Sequence, residues 1–186
     1  MGEGKTVPVE IVRSRRKTMS LEVTKDGRVL VRAPYEMSEM RIRTFVESKK
    51  EWLGMQLQKA EQRQAIRQQA GSISEEQRTS GIRTARIRIP ERAAYYAGII
   101  GVTYGKITIR DQKTRWGSCS SQGNLNFTWK LVLAPPEVLD YVVVHELCHR
   151  IEMNHSSAFW HQVARVLPDY QRQRSWLKEN GWLLEL

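Results

Sequence analysis

The sequence predicts a mixed fold of helices and strands, and three patterns carry that reading. Apolar and polar positions alternate on both sides of Asp26-Gly27, apolar positions recur at helical spacing after Ser38, and Pro135-Pro136 opens an apolar helical stretch. In chain order, VEIV, MSLEV and RVLVRAP read as antiparallel strands, with a tight hairpin at Asp26-Gly27. Ser38 is suited to cap a helix carrying Ile42, Phe45, Val46, Trp52 and Leu53 on its apolar side. That helix is expected to continue into QLQKAEQRQAIRQQA, which is polar enough to be a solvated extension, and to stop at a flexible break from Gly71 to Gly81.

After this break, Pro90 is suited to start a helix and Gly101 to lie just beyond its end. Short β-like runs follow at Ile107 to Arg110, Arg115 to Cys119 and Leu125 to Trp129, parted by Gly and Ser. The helix opened by the proline pair is expected from Glu137 to about Met153. The organisation expected is a basic N-terminal region of strands and helix, 1–81, and a core, 82–186.

A chain of 186 residues supports one substantial core, or one domain with an appendage. Apolar runs such as Val142 to Val144 fall far short of the roughly 18 residues that span a bilayer, and MGEGKTVPVE lacks the apolar centre of a signal peptide. A cytoplasmic protein without membrane association is expected. Cys119 and Cys148 are too few for a disulfide framework and read as free thiols. The net charge is +10, yet only five of the 30 Lys and Arg residues follow Lys130, against seven of the 20 Asp and Glu. The basic excess therefore precedes the C-terminal third, where it would attract nucleic acid, nucleotide phosphates or an acidic protein.

HELCHRIEMNH, residues 145–155, holds three of the four histidines. On a helix, positions four apart lie about 40° round from each other, so His145 and His149 share a face and can grip one zinc ion. Glu146 follows the first histidine directly, the H-E-x-x-H arrangement in which a carboxylate takes a proton from an activated water. A catalytic zinc needs a third ligand. Glu152 lies seven residues beyond His145, a rise of about 10.5 Å that one straight helix cannot reconcile with zinc bonds of about 2 Å. His155 fits if the helix ends first, with Asn154 in the left-handed conformation turning the chain back. Glu152 is then free to orient His149 from behind. Tyr141, one turn before His145, is a candidate oxyanion donor. His161 reads as packing or surface, with polarisation of the substrate as its alternative role. Cys148 reads as core.

The spacing of His145, His149 and His155 equals that of the metzincins, but Glu152 stands at their glycine position and no methionine follows Met153. The blocks RSRRKTMSLEV, RWGSCSSQGNLNFTWKLVLAPPEVLDYVVVHELCH and NHSSAFW, in that order, instead resemble the YgjP-like metal-dependent hydrolases, zincins related to the SprT and Spartan proteases. The resemblance runs from about Val9 to Trp160. It implies an α+β zincin-like core with a mainly antiparallel sheet packed on an HExxH active-site helix. Carried over by position, it implies zinc ligands His145, His149 and His155 with Glu146 as general base. Arg115 belongs to the block Arg115 to Ser118, and its guanidinium suits either a substrate carboxylate or phosphate, or a structural ion pair.

The leading expectation is a zinc-dependent metallopeptidase acting on polypeptide. One alternative is a metal-dependent phosphohydrolase of nucleoside triphosphates, although no Walker-type glycine loop is present. Another is a nucleic-acid-binding module with a structural metal. The distant tie to Spartan-like enzymes, which act on proteins attached to DNA, adds possible DNA association through the basic N-terminal region.

Overall fold

The computed structural model describes residues 8–24, 26–71, 73–112 and 114–185, which fall into two compact units, Met1–Gly71 and Ser72–Leu186. In the first unit, Gly27 adopts φ +81°, a left-handed turn conformation open to glycine, and its amide donates to the Thr24 carbonyl at 3.0 Å. Around this turn, β2 (Ser20–Val23) and β3 (Val29–Pro34) pair antiparallel, while β1 (Val9–Ser14) lies parallel to β3 on its other side. Val31 and Ala33 are buried against Ile42 of α1 (Glu39–Glu47), whose Ser38 cap accepts from the Arg41 amide. The chain breaks at residues 48–49 before α2 (Lys50–Ala70), so the expected continuous helix is two helices. Helix α2 is rich in polar side chains, and none of those described is buried, as its composition implies.

The second unit opens with α3 (Glu75–Ile100), capped by a reciprocal Ser74–Gln77 box. This helix replaces both the expected break up to Gly81 and the expected start at Pro90. Gly and Pro normally punctuate helices, but here Gly81, Ala85, Ile89, Ala93 and Ala97, spaced by four, form a buried stripe. Burial of that stripe offsets the roughly 3 kcal/mol that an internal proline costs. Gly101, at φ +81°, ends the helix in the left-handed conformation.

A second sheet follows, with β4 (Ile107–Arg110), β5 (Gly117–Cys119) and β6 (Leu125–Thr128) in the order β4-β6-β5. Strand β6 pairs parallel with β4 and antiparallel with β5. Both sheets are thus mixed, which corrects the expectation of a mainly antiparallel sheet. Alternation reveals which face of a strand is buried, but not the direction of its partner; in each sheet the middle strand in sequence acts as the crossover between a parallel pair.

A 3-10 turn (Trp129–Leu133) leads to α4 (Pro136–Cys148), with Pro136 in its first turn. The remaining elements are α5 (Ser157–Val166), α6 (Tyr170–Asn180) and a terminal 3-10 turn (Gly181–Glu185). Helix α4 is buried on nearly all sides, through Val138, Leu139, Val142, Val143, Val144 and Leu147. A bidentate ion pair braces it against α3: Arg92 Nε and Nη2 donate to the two Asp140 carboxylate oxygens at 2.6 and 2.7 Å, and the Tyr96 hydroxyl donates to the same carboxylate at 3.1 Å. Among the described residues, no helix is long and apolar enough to cross a membrane.

Candidate metal centre

Helix α4 ends at Cys148, so only His145 of the three clustered histidines lies within it. His149 is the C-cap residue at φ −64°, ψ −12°, still close enough to helical angles to keep its side chain near that of His145. The backbone then turns, with the amides of Ile151 and Glu152 both donating to the Cys148 carbonyl at 3.0 Å. No non-glycine residue among those described has positive φ, so the expected left-handed Asn154 is not used. The right-handed turn at the end of α4 accomplishes the reversal and brings His155 back from the loop.

The resulting site is a cluster of three histidines whose potential ligand atoms all lie within 4.8 Å of one another. This cluster, drawn from a helix, its cap and a loop, corrects the expectation of a site defined by an HExxH helix. His145 Nε2 and His155 Nε2 approach to 2.9 Å. His149 Nδ1 lies 3.1 Å from the Glu152 backbone carbonyl. Since a carbonyl only accepts, Nδ1 carries the proton and Nε2 is left with a lone pair. Glu152 therefore orients His149 through its main chain, not its carboxylate.

Phe159, fully buried on α5, forms the floor of the cluster. Its ring centroid lies 4.9, 4.6 and 4.8 Å from those of His145, His149 and His155. Trp160 stacks on His155 at 5.7 Å and on Tyr170 at 5.3 Å. Aromatic packing thus holds His145, whose buried Nδ1 has no hydrogen-bond partner among the described residues. Burial, reinforced by His149 and His155, pushes the His145 pKa down to about 3. Burial also lowers that of His149, against the opposing effect of its bond to Glu152. Imidazole nitrogens converging in this way have the donor chemistry that zinc prefers, and three such ligands would leave a coordination position for substrate chemistry.

Glu146 projects from α4 beside this cluster and is only 5% exposed. Burial raises its pKa to about 7, opposed by the charge of Arg115. Its carboxylate lies directly over Gly117: a Cβ at that position would stand 2.7 Å from Oε1 and 2.8 Å from Cγ. The glycine of the Arg115 to Ser118 block therefore provides the space in which Glu146 sits.

A cleft of about 360 Å³ opens here, lined by Thr114 to Gly117, by Tyr141, Val142, His145 and Glu146 of α4, and by Arg174 and Leu177 of α6. Tyr141 is buried, and burial lifts its hydroxyl to about 12, which keeps it a proton donor. Arg115 is exposed at the rim. His161 is exposed on α5 and belongs to neither the cluster nor the cleft lining. Phe159, Gly117 and Arg174 were not singled out by sequence reasoning. The first two lie within the blocks that carry the family resemblance, whereas nothing in the local pattern distinguishes Arg174 from the other arginines.

A family model described as YgjP-like, metallopeptidase domain, matches residues 17–82 and 67–180. Among solved structures, the metallopeptidase zymogen abylysin of Pyrococcus abyssi is similar at 24% identity, covering 48% of this chain and 93% of its own, with a TM-score of 0.44. The metallopeptidase zymogen jannalysin of Methanocaldococcus jannaschii is similar at 20% identity, covering 47% and 93%, with a TM-score of 0.40. No curated protein matches the sequence. With its histidine cluster inside the matched region, the chain belongs to the YgjP-like metallopeptidase-domain family and is a zinc-dependent hydrolase of metallopeptidase-like type.

Proposed function

We propose that the chain hydrolyses peptide bonds, using zinc held by His145, His149 and His155 and Glu146 as general base. The observation that carries this reading is the convergence of His145, His149 and His155 beside the buried Glu146 carboxylate, with His145 and Glu146 lining an open cleft. When bound, zinc supplies Lewis acidity, which lets water ionise near neutral pH. Glu146 accepts the proton of the attacking water and returns it to the leaving amine. A carboxylate with a pKa of about 7 suits both transfers. The Tyr141 hydroxyl, held protonated, donates to the oxyanion that develops on the carbonyl. His161, outside the cleft lining, has no part in this scheme.

Polypeptide as the substrate is supported by β5, an edge strand paired only with β6, whose first residue and the three before it line the cleft. An extended peptide can add to such an edge. The test is elemental analysis and cleavage of an unfolded protein by wild type, Glu146→Gln and His155→Ala. Near one zinc per wild-type chain, lost in His155→Ala and kept in an inactive Glu146→Gln, is expected. Turnover retained by Glu146→Gln, or phosphate release from nucleoside triphosphates in place of proteolysis, would refute the scheme. Association with DNA is a separate proposal, supported by a hollow of about 560 Å³ in the first unit lined by Arg16, Lys17 and Arg41. Affinity that falls with salt and survives zinc removal is its expected signature; absence of binding at low salt refutes it.

A further inference from the structure

We infer that the cleft selects a substrate carrying a carboxylate close to the scissile bond, bound between Arg115 and Arg174. The inference rests on the metallopeptidase reading and extends it to substrate class. Two guanidinium groups reach the cleft from different elements, Arg115 from the segment entering β5 and Arg174 from α6. The acid on the same lining is Glu146, which is committed to the chemistry, so the cleft is left with an excess of positive charge beside the reacting centre. Trp116, Tyr141 and Leu177 supply apolar walls, and a volume of about 360 Å³ suits an amino-acid side chain or a chain end.

The two arginines are prepared for this role in different ways. Arg115 is exposed and makes no hydrogen bond or ion pair among the described residues, so its donors are available to a ligand. Arg174 stacks over the Trp160 ring, with its guanidinium carbon 4.5 Å from the centroid. This cation–π contact uses none of its N–H groups, and Arg174 makes no hydrogen bond or ion pair among the described residues, so those groups are left for bidentate hydrogen bonding. Trp160 itself stacks on His155, so the orientation of Arg174 is tied to the histidine cluster. A lysine in the substrate would meet two like charges here, and a glutamine would leave both unpaired.

The carboxylate has two sources in a polypeptide, an Asp or Glu side chain and the free C-terminus. The zinc-loaded full-length protein is given quenched fluorescent peptides that differ only in Glu, Gln or Lys next to the cleavage site. A second pair places the scissile bond near a free or an amidated C-terminus. We expect kcat/KM to be about ten-fold higher for Glu over Gln, or for free over amidated ends, with the difference mainly in KM. Whichever pair shows the preference identifies the source. Arg115→Gln and Arg174→Gln should each bring that ratio toward one, and Arg115→Glu should turn the preference toward Lys. Each ratio is taken within one protein, so a loss of folded enzyme does not distort it. Cleavage of all peptides with ratios near one in wild type, or ratios unchanged in the variants, overturns the inference and leaves the metallopeptidase reading intact. No cleavage of any peptide by zinc-bound wild type overturns both.

Discussion

Replacing Gly117 with alanine should disable the general base without disturbing the metal. The backbone at Gly117 lies outside the left-handed region, so only space requires glycine there. A Cβ would stand 2.7 Å from Glu146 Oε1, 2.8 Å from Cγ and 3.0 Å from Cδ. Ordinary contact begins near ~3.5 Å, so one partner must retreat by roughly 0.5–1 Å. Strand β5 cannot readily do so, because Gly117 pairs with the fully buried Phe127 of the central strand. Glu146 therefore moves, and a misplacement of about 1 Å at a reacting group costs on the order of 100-fold. We expect kcat to fall about 10- to 100-fold, while overpacking lowers stability by about 1–3 kcal/mol. Zinc content should be unchanged, because the three atoms nearest that Cβ all belong to Glu146 and none to a histidine. Peptide cleavage, elemental analysis and thermal melting on the same preparation measure these effects, with Ser118→Ala, on the opposite face of the strand, as control. Full activity in Gly117→Ala, or zinc lost along with activity, would refute the reasoning.

Other perturbations probe the scaffold. Asp140→Ala leaves Arg92 without its carboxylate and should cost about 2–3 kcal/mol, read as a lower melting temperature; an unchanged midpoint would remove the ion pair as a brace for α4. Gly81→Ala should destabilise despite the better helix propensity of alanine, worth about 1 kcal/mol. Its Cβ would meet the nearly fully buried Trp129 ring at 2.5 and 2.7 Å, and a rise in melting temperature would show that the ring can yield. Chelation should abolish hydrolysis and lower the melting temperature, with zinc restoring both; activity that persists after complete metal removal would refute a metal-dependent mechanism.

How much of this site could be read from sequence follows from the range of the interactions that build it. His145 and His149 are related by helical spacing, and the short link to His155 kept the third member within local reach. Glu146 and Gly117 meet only because β5 packs beside α4, and neither residue's local pattern announces the other. The same holds for Arg174, which reaches the cleft from a helix that begins well after the histidines. Strand directions were hidden for a related reason, since pairing partners are chosen by tertiary packing. In helix α3, Gly81 and Pro90 are strong local breakers, overridden by a buried face that becomes apparent only once the helix is continuous.

The placement of the three histidines on a helix, its cap and the following loop would give a metal held there a role beyond catalysis. His145 and His155 are ten positions apart in the chain, and their Nε2 atoms meet at 2.9 Å. A metal joining them would act as a non-covalent clasp, removing the freedom of the intervening loop much as a crosslink does. The same clasp would steady the start of α5, where Phe159 lies beneath the imidazoles and Trp160 against His155 and Arg174. Metal occupancy and the shape of the cleft wall that carries Arg174 would therefore be linked through this aromatic layer, so that binding the metal would also help to assemble that wall.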